Sequence, residues 1–407
     1  MEEGGITLLE QLDHILSSDR HIDELGYVHP SQLAGLHEGS VHVDDSVADP
    51  SVFWCGEHKL AISIQALVPL YNAAKSAFIA SHQVLLGTSK DGFHESGGTE
   101  DFHFLAEELL SLTRSVVVLN PGFKTAWDVR KQIFVTLSNV GPLEELQLSS
   151  LVLSFNPKCE EAWAHRRWTI CSRIESIFPY QITENLLQQE LKLVAMIADR
   201  SRMNFQAWRH CCWLVQWMSP VQMLDELQTW KRWAELHVAE NSCFHFRRCL
   251  FEKLLTDEDN SLRMKDVWLE ELEWNKKLIK LYIGREALWL HQRFLFFLWV
   301  HHFKRTDSAG SIEHPFPLAE ISFANSCIDS CNDDEDNQKQ IACASTFKLW
   351  VLLKCKESST VLDDSKAQMT ELLSIEQLLG SNAAHQKALW EGLLKIFKVQ
   401  RGNFSGF

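Results

Sequence analysis

The sequence predicts an all-α fold of stacked helical hairpins, and three observations predict it. A short aromatic pattern recurs five times, anchored at Trp127, Trp163, Trp208, His245 and Trp289. Successive anchors lie 36, 45, 37 and 44 residues apart, the spacing of helix–turn–helix repeats. Between them, apolar residues recur at helical spacing, with Asn, Pro and Gly where helices should begin and end. Such a hairpin cannot bury its apolar face alone, so neighbours stack and the expected product is a curved scaffold.

Residues 1–60 lack the pattern and form a separate N-terminal segment. Leu8–Leu16 fits a short helix, Pro30 and Gly35 act as breakers, and 46–50 reads as a turn. Residues 61–302 are expected to hold the repeats. Their first helical stretch, Leu60–Leu86, is expected to break near Pro69, and Gly87–Thr99 reads as a loop. A helix from Asp101 ends at Asn120-Pro121-Gly122. The helices between anchors are placed near 142–154, 182–199, 220–237 and 265–282. Residues 303–342 read as an acidic polar insertion, with Asp329–Asn337 as a surface loop. Residues 343–407 close the chain, with helices near 343–354, 364–379 and from Ala383 around Trp390.

Composition narrows the function. With 39 basic and 54 acidic residues the formal charge is -15, which argues against a nucleic-acid binder. Eleven Cys is an odd count, two are adjacent (Cys211, Cys212), and Met1-Glu2-Glu3 opens acidic. The expectation is a reduced, cytoplasmic protein. The most apolar run, Phe294–Val300, is too short for an integral membrane segment. There is no Gly-rich phosphate loop, His-Glu-x-x-His or nucleophile elbow. His165, His210 and His291 share one register, two residues after their anchors, but no set of three or four ligands converges, so no metal is expected here.

The candidate site residues come from the repeats. Trp127, Trp163, Trp208 and Trp289 suit wedges between hairpins. Arg130, Arg166 and Arg248 stand three residues after their anchors, and Arg167 and Arg293 four after. Two roles remain open for these Arg residues: ion pairs to neighbouring hairpins, or a row facing a partner or a planar anion such as diphosphate. Lys158 precedes a helix and by itself reads as solvated.

Trp163-Ala164-His165-Arg166-Arg167 and Asn204-Phe205-Gln206-Ala207-Trp208-Arg209-His210 resemble the repeats of protein prenyltransferase alpha subunits. His21-Ile22-Asp23-Glu24-Leu25-Gly26 resembles the N-terminal part of that family's repeat-containing protein 1 branch. The resemblance implies a right-handed alpha-alpha superhelix, a crescent wrapping a separate beta subunit. It implies catalytic zinc in that partner, geranylgeranyl diphosphate as co-substrate, and transfer to a cysteine near the C-terminus of another protein. A SNARE already carrying one lipid is one candidate substrate. The implied partner is the Rab-type geranylgeranyltransferase beta subunit, and the chain acts as an enzyme only within that complex. In the family a Lys five residues before the second-repeat Trp faces the diphosphate, and Lys158 holds that position here. Glu160 stands where the family commonly has Tyr, Cys159 where it has Asn, Cys211 where Arg is expected, and His245 where Trp is expected. The alternative is a non-catalytic scaffold or regulator of a beta subunit.

Overall fold

Helix starts are written locally. Ser219 caps a helix whose first residue is Pro220, and its hydroxyl accepts from Gln222 N while Gln222 accepts back from Ser219 N. Asn204 caps another by accepting from Ala207 N at 3.1 Å. The structure, a computed structural model, describes residues 2–39, 48–88, 98–137, 141–177, 184–256, 261–304, 316–332 and 334–357. The expected helices at 364–379 and from Ala383 lie outside them. Fifteen α-helices are present among the described residues, and the fold is all-α and repeat-built. No helix among them is long and apolar enough to cross a membrane.

The chain divides into two compact units, Met1–Trp217 and Met218–Phe407. The first opens with α1 (Glu2–Ser18), longer than the short helix expected. It continues through β1 (Glu24–Val28), α2 (Pro30–Gly39), β2 (Phe53–Gly56) and β3 (Lys59–Ser63). The sheet has order β1-β3-β2, with β1 parallel and β2 antiparallel to β3. Composition and period gave no sign of it, because these strands are only four or five residues long. The boundary drawn at 60/61 falls inside β3. Pro30 starts a helix rather than breaking one, and α3 (Leu67–Thr88) runs through Pro69. Both prolines lie in a first turn, where the missing N–H has no intrahelical acceptor.

The repeats follow as hairpins. In the first unit α4 (Gly98–Leu119) packs on α5 (Lys124–Thr136), α6 (Pro142–Phe155) on α7 (Glu160–Ile177), and α8 (Glu184–Arg200) on α9 (Phe205–Leu214). In the second, α10 (Pro220–Leu236) packs on α11 (Asn241–Leu254) and α12 (Ser261–Leu281) on α13 (Glu286–Leu298). A last hairpin pairs α14 (Phe316–Asp329) with α15 (Glu335–Glu357). The stretch 303–342 read as an insertion is therefore mostly helical where it is described. The loop expected at 329–337 is narrower: the turn between the two helices falls inside it. Glu335-Asp336-Asn337 already form a first helical turn, where acidic groups favour the positive end of the helix dipole.

Candidate functional site

The anchors form the core. Trp127, Trp163, Trp208 and Trp289 are 2, 0, 1 and 3% exposed. A buried indole N–H needs an acceptor, and the Asn-Pro turns supply it: Trp127 Nε1 donates to Pro121 O at 2.8 Å and Trp163 Nε1 to Pro157 O at 3.0 Å. Trp289 donates instead to Gln340 Oε1 at 3.0 Å.

The fourth anchor needs correction. His245 is exposed, whereas Phe244 beside it is fully buried. Phe244 is the packing residue, so Arg247 rather than Arg248 takes the third position after the anchor. The pattern Phe244-x-x-Arg247 parallels Trp163-x-x-Arg166, and that was the overlooked signal.

Three buried Arg–Glu–His links emerge from this register. Arg130 on α5 donates Nε and Nη2 to Glu145 on α6 at 3.0 and 2.5 Å, and His165 Nε2 on α7 meets the same carboxylate at 2.7 Å. Arg166 on α7 does likewise with Glu190 on α8 at 2.6 and 2.7 Å, joined by His210 on α9 at 2.9 Å. In the second unit Arg247 reaches Glu271 at 2.7 and 2.5 Å, joined by His291 at 2.9 Å. Each carboxylate thus ties one hairpin to the next. Arg130 and Arg166 are structural ion pairs, not a free row.

Electrostatics fix the protonation states. Burial would raise the carboxyls of Glu145, Glu190 and Glu271, but the adjacent Arg and His outweigh it and hold each pKa at about 2. An ionised carboxylate can only accept, so each His Nε2 carries the proton it donates. Burial lowers the His pKa values, that of His291 to about 4, so the rings are neutral. Each ring also packs on the preceding anchor: His165 on Trp127 at 4.7 Å, His210 on Trp163 at 4.9 Å and His291 on Phe244 at 5.3 Å. The glutamates were not singled out from the sequence, although each stands 18 residues before the next Trp anchor: Glu145 before Trp163, Glu190 before Trp208 and Glu271 before Trp289. That register was a signal, and only the distance from the preceding Arg varies with the turn and helix between.

Departures from the link come together. Cys211 stands at the Arg position of repeat three, and Phe246 at the His position of repeat four. Gln292 takes the Arg position of repeat five and donates to Glu320 on α14 at 2.7 Å, which also pairs with Lys276 at 2.8 Å.

The remaining basic candidates sit nearer solvent. Lys158 is exposed in the turn before α7. The carbonyl just before it, Pro157 O, accepts from both Trp163 Nε1 and Asn204 Nδ2, which pins the turn that carries the ammonium. Glu160 pairs with Arg209 at 3.5 Å, both half-exposed. Arg167, Arg248 and Arg293 are intermediate in burial.

Stacked hairpins joined by buried Arg–Glu–His links define a helical-repeat scaffold. The sequence pattern of the protein prenyltransferase alpha subunit repeat matches residues 142–173 and 187–218, which span α6–α7 and most of α8 through α9. Protein prenyltransferase alpha subunit repeat-containing protein 1 of Homo sapiens is 30% identical over 341 residues, covering 72% of this chain and 77% of that protein. Its namesake in Danio rerio is 31% identical over 50% of this chain and 58% of its own length. Geranylgeranyl transferase type-2 subunit alpha of Homo sapiens is 26% identical over 47% of this chain and 34% of that protein. The chain belongs to the protein prenyltransferase alpha subunit repeat family.

Proposed function

We propose that this chain is the alpha-like subunit of a heterodimeric protein prenyltransferase. It scaffolds a beta subunit of the Rab-type geranylgeranyltransferase kind. That partner holds the zinc, whose chemistry when bound is to present the substrate cysteine as a thiolate. The donor is geranylgeranyl diphosphate, and the acceptor is a cysteine near the C-terminus of a protein such as a singly lipidated SNARE. The complex works in the cytoplasm. Lys158 supplies positive charge where the diphosphate leaving group develops its own.

The observation that carries this reading is the pinned turn holding Lys158 exposed, five residues before a fully buried Trp163. Similarity to a geranylgeranyl transferase type-2 alpha subunit supports the choice of partner. The Glu160–Arg209 pair favours a second reading, a non-catalytic scaffold, because it places a carboxylate near the proposed diphosphate site.

The test is co-expression with a Rab-type geranylgeranyltransferase beta subunit, purification through one tag, and a lipid-transfer assay on cytosolic proteins. A stable complex that transfers geranylgeranyl is expected, and Lys158→Ala should lower turnover far more than it weakens the complex. Equal turnover by parent and Lys158→Ala complexes removes the diphosphate role. A stable, inactive complex supports the scaffold, and no complex rejects the partner.

A further inference from the structure

Arg130, Arg166 and Arg247 all use one edge of the guanidinium, Nε with Nη2, to grip a carboxylate side-on. Arg248 presents the same edge unfilled. Its Nε and Nη2 are both buried and have no hydrogen-bond partner among the described residues. Leaving two charged donors dry and unpaired is costly, and Arg248 as a whole is only partly buried. A shift of its side chain that brings this edge to an acceptor from outside would relieve that cost.

The surroundings select the acceptor. Arg293, one repeat on, lies close enough that its charge adds to burial in lowering the Arg248 pKa. Glu252, one turn along α11, is felt electrostatically but makes no ion pair with Arg248. Aromatic rings floor both guanidinium groups: Arg248 lies over Phe294 at 5.9 Å and Arg293 over Trp350 at 5.1 Å. Phe297, one turn beyond Arg293, leaves 37% of its surface exposed. Stacked Arg beside exposed aromatic surface is the make-up of a protein-binding hot spot rather than of a small-ion site.

We infer that Arg248, with Arg293 beside it, receives a side-chain carboxylate from an acidic segment of a protein partner. On the reading proposed above, that partner is the beta subunit. The second unit then contributes an anchoring contact separate from Lys158, and a requirement for Arg rather than Lys. A lysine keeps the charge but has no planar two-donor edge.

The experiment uses the full chain and a Rab-type geranylgeranyltransferase beta subunit, measuring dissociation constants for the parent, Arg248→Ala and Arg248→Lys. Melting transitions of the free chains confirm that both variants fold. In parallel the free chain is melted with and without a tetraglutamate peptide as the acidic probe. Both variants are expected to bind the beta subunit about tenfold or more weakly, Arg248→Lys included. The peptide is expected to raise the melting transition of the parent and not of Arg248→Ala. If the parent binds and both variants stay within about twofold of it, the inference is overturned. If the parent does not bind the beta subunit, the proposed function fails, and the peptide decides this site alone. An Arg248-dependent rise keeps an acidic partner of another kind, and no rise rejects it.

Discussion

Phe244 and His245 are adjacent in the chain and opposite in environment. Phe244 is 0% exposed while His245 faces solvent. Phe244→Ala should therefore cost about 3–5 kcal/mol by denaturant unfolding. His245→Ala should stay within about 0.5 kcal/mol. The reverse order would restore His245 as the anchor. Trp163→Ala also empties a fully buried site and should cost about 3–5 kcal/mol. The four Trp anchors were legible because Trp at a fixed repeat position has few other uses. The fourth was misplaced by one residue because no Trp marks it, and an imidazole two residues before Arg247 looked like an acceptable substitute.

The link between elements is the buried Arg–Glu–His unit. Breaking one should be expensive because it leaves a carboxylate buried without its guanidinium. Arg166→Ala should lower stability by roughly 3–5 kcal/mol, and Arg166→Met, similar in length, should recover little of it. A loss under about 1 kcal/mol would mean that the carboxylate finds water or another donor. Helix placement was legible to within a few residues: α6, α8, α10 and α12 lie close to their expected ranges. Their ends carry short local signals such as Ser219-Pro220-x-Gln222. The final hairpin was obscured, because acidic polar residues at a helix start look the same in one dimension as a loop. Gly284 shows why only the fold decides there. It sits at φ +73°, and an added Cβ would come within 2.6 Å of Asp336 O on α15. Gly284→Ala should destabilise the α12–α13 turn through both strain and contact.

Across the whole chain, the three Glu and three His make stability depend on acid. His291 has a folded pKa of about 4 against an ordinary 6.5, so between those values the unfolded chain takes up a proton that the folded chain refuses. The three carboxyls have folded pKa values of about 2 against an ordinary 4.5, so their contribution, complete above 4.5, is lost as pH falls through that second window. Both effects have one sign. The melting temperature should hold steady above about pH 6.5 and fall progressively below it. His291→Gln, which keeps an N–H for Glu271, should flatten the upper part of that fall. A melting temperature unchanged between about pH 7 and pH 5 would contradict neutral buried rings.

The sequence by itself determined the all-α class, the hairpin period, the Trp wedges and the family, because each follows from local spacing that repeats down the chain. Tertiary structure alone decided which Arg is consumed and which is left over. Arg166 and Arg167 are neighbours in sequence, as are Arg247 and Arg248. On a helix, consecutive residues point about 100° apart, so one meets the next hairpin's glutamate and the other does not. Where that glutamate falls depends on the length of the intervening turn and helix. The buried pairs and the unfilled Arg248 edge therefore exist only once the hairpins are stacked.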